Sequence, residues 1–112
     1  MISDSMMATG MPDGKYALGG QDVFVTGKKA VLDDGTIAGS ASNLMDCLRV
    51  AVKEMQVPLE SAVKACTLNP AKSLGLDNLH GSITAGKYAN LVLLDKDLNI
   101  VKVFIKGEEY RK

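Results

Sequence analysis

Gly81-Ser82-Ile83-Thr84-Ala85-Gly86-Lys87-Tyr88-Ala89-Asn90-Leu91-Val92-Leu93-Leu94-Asp95 divides the chain into two kinds of sequence. Before it the apolar residues recur at helical spacing; after it the chain reads as strand. Gly81 and Gly86 bracket a tight turn, where positive φ is cheap only for glycine. Leu91 to Leu94 is a continuous apolar run stopped by Asp95, the pattern of a strand buried on both faces. Ile100 to Ile105 reads as a last strand, with Tyr110 beginning an edge pairing.

Upstream, Pro58 opens a helix whose buried face is Leu59, Ala62, Val63 and Cys66. Asn69-Pro70 starts a further short helix, ended by Gly75. Asn43 caps an earlier helix and Asp46 completes a capping box. Leu44, Cys47, Leu48, Ala51, Val52 and Met55 make its apolar stripe, and Asp46, Arg49, Lys53 and Glu54 a solvated face. Asp22 to Thr26 and Lys29 to Leu32 are two short strands joined at Gly27-Lys28. Gly20 with Gly27-Lys28 is not a phosphate loop, because the glycine spacing is wrong and Lys29 stands where Ser or Thr is needed. Thr36 to Ser40 reads as a small-residue loop. Met6 to Gly20 reads as a long, glycine-rich loop whose methionines pack beneath neighbouring structure. Ile2-Ser3-Asp4 reads as the end of a strand.

Composition excludes several classes. The 112 residues carry 13 basic and 13 acidic side chains, so no net charge draws the chain to nucleic acid or a membrane surface. No apolar run approaches the ~20 residues of a membrane span, and the first residues lack a signal-peptide pattern. Cys47 and Cys66 read as buried free thiols of a cytoplasmic protein. Layout is the weak point. The strand at Ile2–Asp4 has no earlier partner, strands 22–32 and 91–105 barely cover three helices, and apolar helix faces are in surplus. The chain is expected to be the tail of a larger protein, or to complete its core as a homo-oligomer.

Gly81-Ser82-Ile83, Gly86-Lys87 and Ala89 to Asp95 resemble the closing segment of the amidohydrolase superfamily, and Asn69-Pro70-Ala71 with Leu74-Gly75-Leu76 resembles the helix before it. Within that superfamily, Ser3-Asp4-Ser5-Met6, Ala8-Thr9-Gly10, Gly14-Lys15-Tyr16 and Ile37-Ala38-Gly39-Ser40 are similar to the N-acetylglucosamine-6-phosphate deacetylases. The resemblance implies an α/β fold: the carboxyl-terminal part of a (β/α)8 TIM barrel plus strands of a small composite β-sandwich. Residues 1–80 would end the barrel and 81–112 supply the sandwich strands.

It also implies a hydrolase that releases acetate from N-acetylglucosamine 6-phosphate. Asp4 would be the catalytic proton carrier, and Ile37, Ala38 and Gly39 the substrate-binding loop. A divalent metal, zinc, iron or manganese, would be the cofactor of the full-length enzyme. Its glutamate and histidine ligands are not in this chain, which alone is expected to be inactive. Read by chemistry alone, Asp4 is only a strand-end carboxylate capping a turn, and 37–39 only the lead into a helix. Similarly, His80 is a solvent-facing linker histidine without metal-ligating neighbours, and Lys28 and Lys29 a solvated hairpin tip. Two rival readings stand beside the deacetylase: a non-catalytic, self-associating or partner-binding module, and a sister amidohydrolase acting on another N-acyl or cyclic amide.

Overall fold

The computed structural model describes residues 1–111. The chain divides into two compact units, residues 1–55 and 56–112.

The first unit is a four-stranded antiparallel meander followed by one helix. Its strands are β1 (Gly14–Leu18), β2 (Gln21–Thr26), β3 (Lys29–Leu32) and β4 (Ile37–Ser40), paired in chain order. β2 and β3 stand where the sequence puts them. β1 and β4 replace expected loops, and both corrections have a local cause. Gly19 and Gly20 both take positive φ, 58° and 83°, and close a two-residue hairpin of the kind that matches strand twist. That turn pairs Tyr16 with Val23 and Lys15 with Phe24. β4 pairs with β3 through a register shift at Ala30/Val31, and such a bulge lets a small-residue stretch follow a twisted edge.

The core of this unit is small. Val23 and Val25 of β2, Ala30 of β3, Ala8 and Ala41 are buried together, with Met6, Tyr16, Leu32 and Ala38 against them. Met6 therefore packs as expected of the methionine-rich stretch, whereas Met7 and Met11 are exposed. The expected strand at Ile2–Asp4 is absent. Asp4 takes φ 51°, a left-handed conformation that ends an extended run and that aspartate tolerates better than most L-residues. Ser5, one residue later, makes an isolated parallel bridge to Ser40.

Helix α1 (Leu44–Lys53) begins at the capping box read from the sequence. Asn43 Oδ1 accepts the Asp46 N–H at 3.0 Å and Asp46 Oδ2 accepts the Asn43 N–H at 3.1 Å. Leu48 and Ala51 are buried, but Met55 lies beyond the helix and is exposed. The polar face is not simply solvated. Asp46 is 14% exposed and forms ion pairs with Lys28, at the β2–β3 hairpin tip, and with Arg49. Lys28 is thus a tether between hairpin and helix rather than a free surface cation. Its ammonium, through a hydrogen bond, is the main cause that holds the Asp46 carboxyl below its usual range.

In the second unit, α2 (Leu59–Cys66) follows Pro58 and α3 (Leu68–Ser73) follows directly. α3 starts before Asn69-Pro70, because Thr67 occupies the cap position without a side-chain hydrogen bond. Its end is a Schellman motif: the Gly75 N–H donates to Lys72 O and the Leu76 N–H to Ala71 O, with Gly75 at φ 67°. Of the expected apolar face of α2, only Ala62 is fully buried; Leu59 and Val63 are exposed.

A three-stranded sheet closes this unit: β5 (Leu91–Leu94), β6 (Ile100–Ile105) and β7 (Glu108–Glu109). It is separate from the first sheet, so strands 22–32 and 91–105 do not pair. β5 keeps its expected bounds but is not buried on both faces, since Val92 and Leu93 are exposed. Asp95 builds the β5–β6 turn, its Oδ1 accepting the Asp97 and Asn99 N–H groups at 2.8 Å each. Tyr110 does extend the edge pairing, its N–H donating to Val103 O. The described chain is therefore an α/β structure with antiparallel sheets, and no helix in it is long and apolar enough to cross a membrane.

The 81–95 segment shows why glycine is required at its head. Gly81 has φ 88°, and a Cβ there would lie 2.9 Å from Ala71 Cβ and 2.9 Å from Leu68 Cα. Lys87 then fastens the turn, its ammonium donating to Asp77 O, to Ser82 Oγ at 2.7 Å and to His80 O at 3.4 Å. His80 is half-buried, its ring centroid 5.3 Å from that of Tyr88. Gly86 has φ 89° but open space around it.

These two glycines separate strain from crowding. Gly81→Ala should lose about 3 kcal/mol, the sum of an unfavourable φ and an overpacked contact. Gly86→Ala should lose about 1 kcal/mol, from φ alone. Equal losses in urea unfolding would contradict the crowding at Ala71. A second test concerns Asp46. Its folded pKa lies below the unfolded one, so its contribution is fully present above the unfolded value and vanishes as pH falls through the folded value. Urea midpoints should fall on acidification below about pH 4, and Lys28→Met should flatten that dependence; an unaltered pH profile would show that the pair is not the cause.

Candidate functional site

The residues singled out for chemistry converge on the backbone of Ser40. The Ser40 N–H donates to Asp4 O at 3.3 Å, and Ser40 O accepts the Met6 N–H at 2.9 Å. Asp4 and Met6 thus straddle Ser40, as the parallel bridge from Ser5 requires. Asp4 is an exposed residue held one position from Gly39, the end of the Ile37-Ala38-Gly39 stretch. The expected proton carrier and substrate loop are therefore neighbours, although separated by more than thirty residues of sequence.

Within that stretch the residues differ. Ile37 is 80% exposed, a large apolar side chain presented to solvent from a strand end. Ala38 is half-buried and packs against the small core. Gly39 is half-buried beside Met6, whose Cβ would be 3.6 Å from a Cβ built at Gly39. A side chain at 39 would meet Met6 at ordinary contact distance and cover backbone that glycine leaves open to a ligand.

Two hydroxyls that the sequence analysis gave no role complete the geometry. Ser5 Oγ donates to Ser42 O at 2.6 Å and lies 2.7 Å from Ser3 Oγ. Thr9 Oγ1 donates to Ser40 O at 3.1 Å. Ser42 immediately precedes the Asn43 cap, so the Asp4 segment is linked to the start of α1 as well as to β4. Nothing periodic announces such hydroxyls; the signals were their place within the motifs around Asp4 and 37–40 and the density of Ser and Thr at 3, 5, 9, 40 and 42. Beside them, Lys28, Ser42, Asp46 and Arg49 contribute to a shallow surface depression of ≈ 270 Å³.

A carboxylate at this position can accept a proton from water and return it to a leaving group. Metal coordination is a different matter. Among the described residues no group of three His, Cys, Asp or Glu could hold an ion, so the residues present do not fit one. His80, the one histidine, belongs to the second unit and is engaged with Tyr88. Lys29 pairs by backbone with Ser40.

Comparison with known proteins gives a consistent picture. The family model described as Amidohydrolase family matches residues 17–110. The chain is 37% identical over 107 residues to an N-acetylglucosamine-6-phosphate deacetylase of Vibrio furnissii, covering 96% of this chain and 27% of that protein. It is 36% identical over 108 residues to an N-acetylgalactosamine-6-phosphate deacetylase of Escherichia coli O157:H7, covering 96% and 29%. Among solved structures, the N-acetylglucosamine-6-phosphate deacetylase of Pasteurella multocida superposes with a TM-score of 0.91 at 31% identity, over 98% of this chain and 29% of that one. The chain thus spans under a third of the length of each of these relatives. With its match to the family model over most of its length and its fold shared with a member, this chain belongs to the amidohydrolase family.

Proposed function

We propose that this chain is the carboxyl-terminal part of a deacetylase that hydrolyses N-acetylglucosamine 6-phosphate to glucosamine 6-phosphate and acetate. The observation that supports the reading is the backbone hydrogen bond from Ser40 N–H to Asp4 O, which holds residue 4 next to the 37–39 stretch. Residues 1–80 are assigned to the end of a (β/α)8 barrel and 81–112 to strands of a small sandwich, on the likeness to the amidohydrolase family. Cys47 and Cys66 are half-buried rather than buried and are not joined in a disulfide, which accords with a reducing, cytoplasmic setting.

In this reading Asp4 takes the proton of the attacking water as the C–O bond forms. It then gives that proton to the amide nitrogen as the C–N bond breaks. One carboxylate serves both steps because the proton has one source and one destination, and an amine leaves readily only once protonated. Ile37, Ala38 and Gly39 bind the sugar through their backbone and the exposed Ile37 side chain. The family is generally metal-dependent. Since the described residues do not fit an ion, we assign a zinc, iron or manganese site to residues outside this chain, and the proton steps here belong to Asp4.

Two assays test this. The isolated chain supplied with zinc, iron or manganese should show no deacetylation. A chimera in which it replaces the matching segment of the Vibrio furnissii deacetylase should turn over substrate, and Asp4→Asn in that chimera should cut kcat about 100-fold or more. An Asp4→Asn chimera with unchanged kcat would end the catalytic assignment, and preference for the galactosamine substrate would move the chain to the other sugar.

Self-association is the second reading, favoured by Val92, Leu93, Ile100, Val101 and Ile105 standing exposed on one small sheet. The expected homo-oligomer should then appear in sedimentation velocity as a concentration-dependent species. A well-behaved monomer across the micromolar range would exclude it.

A further inference from the structure

We propose that Ser5 is a positioning residue for Asp4, its hydroxyl latching the Asp4 segment to the carbonyl of Ser42 and so to the start of α1. The inference rests on the proposed catalytic role of Asp4 for its functional meaning, but its geometry stands apart from that role.

Asp4 is held in a left-handed conformation, φ 51°, which for a residue with a side chain is uphill unless its surroundings impose it. The hydrogen bonds that tie this segment to residues 40–42 are made by Asp4 itself and by the residues after it. On the backbone side there are two hydrogen bonds, Ser40 N–H to Asp4 O at 3.3 Å and Met6 N–H to Ser40 O at 2.9 Å. The first is long, beyond the usual range for an N–H to O bond. The shortest hydrogen bond in the group is from the Ser5 hydroxyl to Ser42 O, at 2.6 Å.

A hydroxyl has one proton to donate. The same hydroxyl also lies 2.7 Å from Ser3 Oγ as donor, so its single proton is shared between Ser3 Oγ and Ser42 O. Ser5 therefore joins the residue before Asp4 to the residue before the helix cap. Thr9 contributes a separate tie, its Oγ1 donating to Ser40 O at 3.1 Å, but it sits beside the buried Ala8 and anchors the loop rather than Asp4 itself. Alanine at 5 would remove the tie and leave the Ser42 carbonyl to water, because Ser5 is exposed. Threonine would keep a hydroxyl at the same position.

Amide hydrogen exchange on the whole chain reads the latch without substrate. Ser5→Ala should speed exchange at the Met6 and Ser40 amides about tenfold, the equivalent of one net hydrogen bond. The amides of Val23 and Val25 should keep their protection, and Ser5→Thr should restore the native pattern. Unchanged exchange at Met6 and Ser40 overturns the proposal. So does loss of protection that spreads to Val23 and Val25, which would make Ser5 a residue of general stability.

The chimera described above supplies the functional readout. Ser5→Ala there should lower kcat about tenfold while KM stays within about twofold, as for a group acting through the reacting carboxylate, with recovery in Ser5→Thr. A rise in KM at constant kcat would overturn it. If Asp4→Asn leaves turnover intact, the catalytic reading fails by itself, and the exchange experiment still decides the latch.

Discussion

The backbone of Ser40 is the point on which the first unit is assembled. Its N–H and its carbonyl face the same incoming segment, the N–H reaching Asp4 and the carbonyl receiving both Met6 and Thr9. β4 thereby gains the edge partner that a sheet margin otherwise lacks. That docking buries Ala8 and brings Met6 against Val23, Val25, Ala30 and Ala41. Without it, the meander would carry alanines and valines on a face with no cover, and few hydrophobic side chains large enough to replace them.

The same docking explains how a carboxylate and a small-residue strand far apart in sequence form one neighbourhood. The approach relies on small residues on both sides: Gly39 and Ser40 on the strand, Ser5 and Ala8 on the segment. Backbone atoms can then approach directly, and hydroxyls rather than bulky side chains fill the seam. The cost is a left-handed Asp4, a strain of the sort that persists where surroundings over-determine it.

How much of this was legible in the chain depends on the range of the interaction. Asn43 with Asp46 and Pro58 were readable because a cap or a helix start is set by residues three or four apart. β2, β3, β5 and β6 were readable because apolar residues cluster between strong turn signals. β1 was hidden by its glycines: Gly14, Gly19 and Gly20 look like loop until Gly19-Gly20 is understood as the hairpin. β4 was hidden because Ile37-Ala38-Gly39-Ser40 has too little bulk to display alternation. Burial was misjudged for Val92, Leu93, Leu59 and Val63, whose apolar character alone does not supply a covering layer. At the site, the roles of Asp4 and 37–39 followed from family resemblance; the hydrogen bonds of Ser5 to Ser42 and of Thr9 and Met6 to Ser40 span more than thirty residues and leave no local pattern.

The close approach of Gly81 to Ala71 has a consequence for how this region can drift. With an added carbon at 81 falling 2.9 Å from the Ala71 methyl, the two positions share one small volume. Neither can grow while the other stays fixed, and even a smaller residue at 71 leaves the backbone of Leu68 equally close to 81. Substitutions that enlarge position 71 must therefore push the chain between Gly75 and Gly81 outward, lengthening the path to β5. Insertions in this linker and bulk at position 71 should rise and fall together among descendants of the same ancestral sequence.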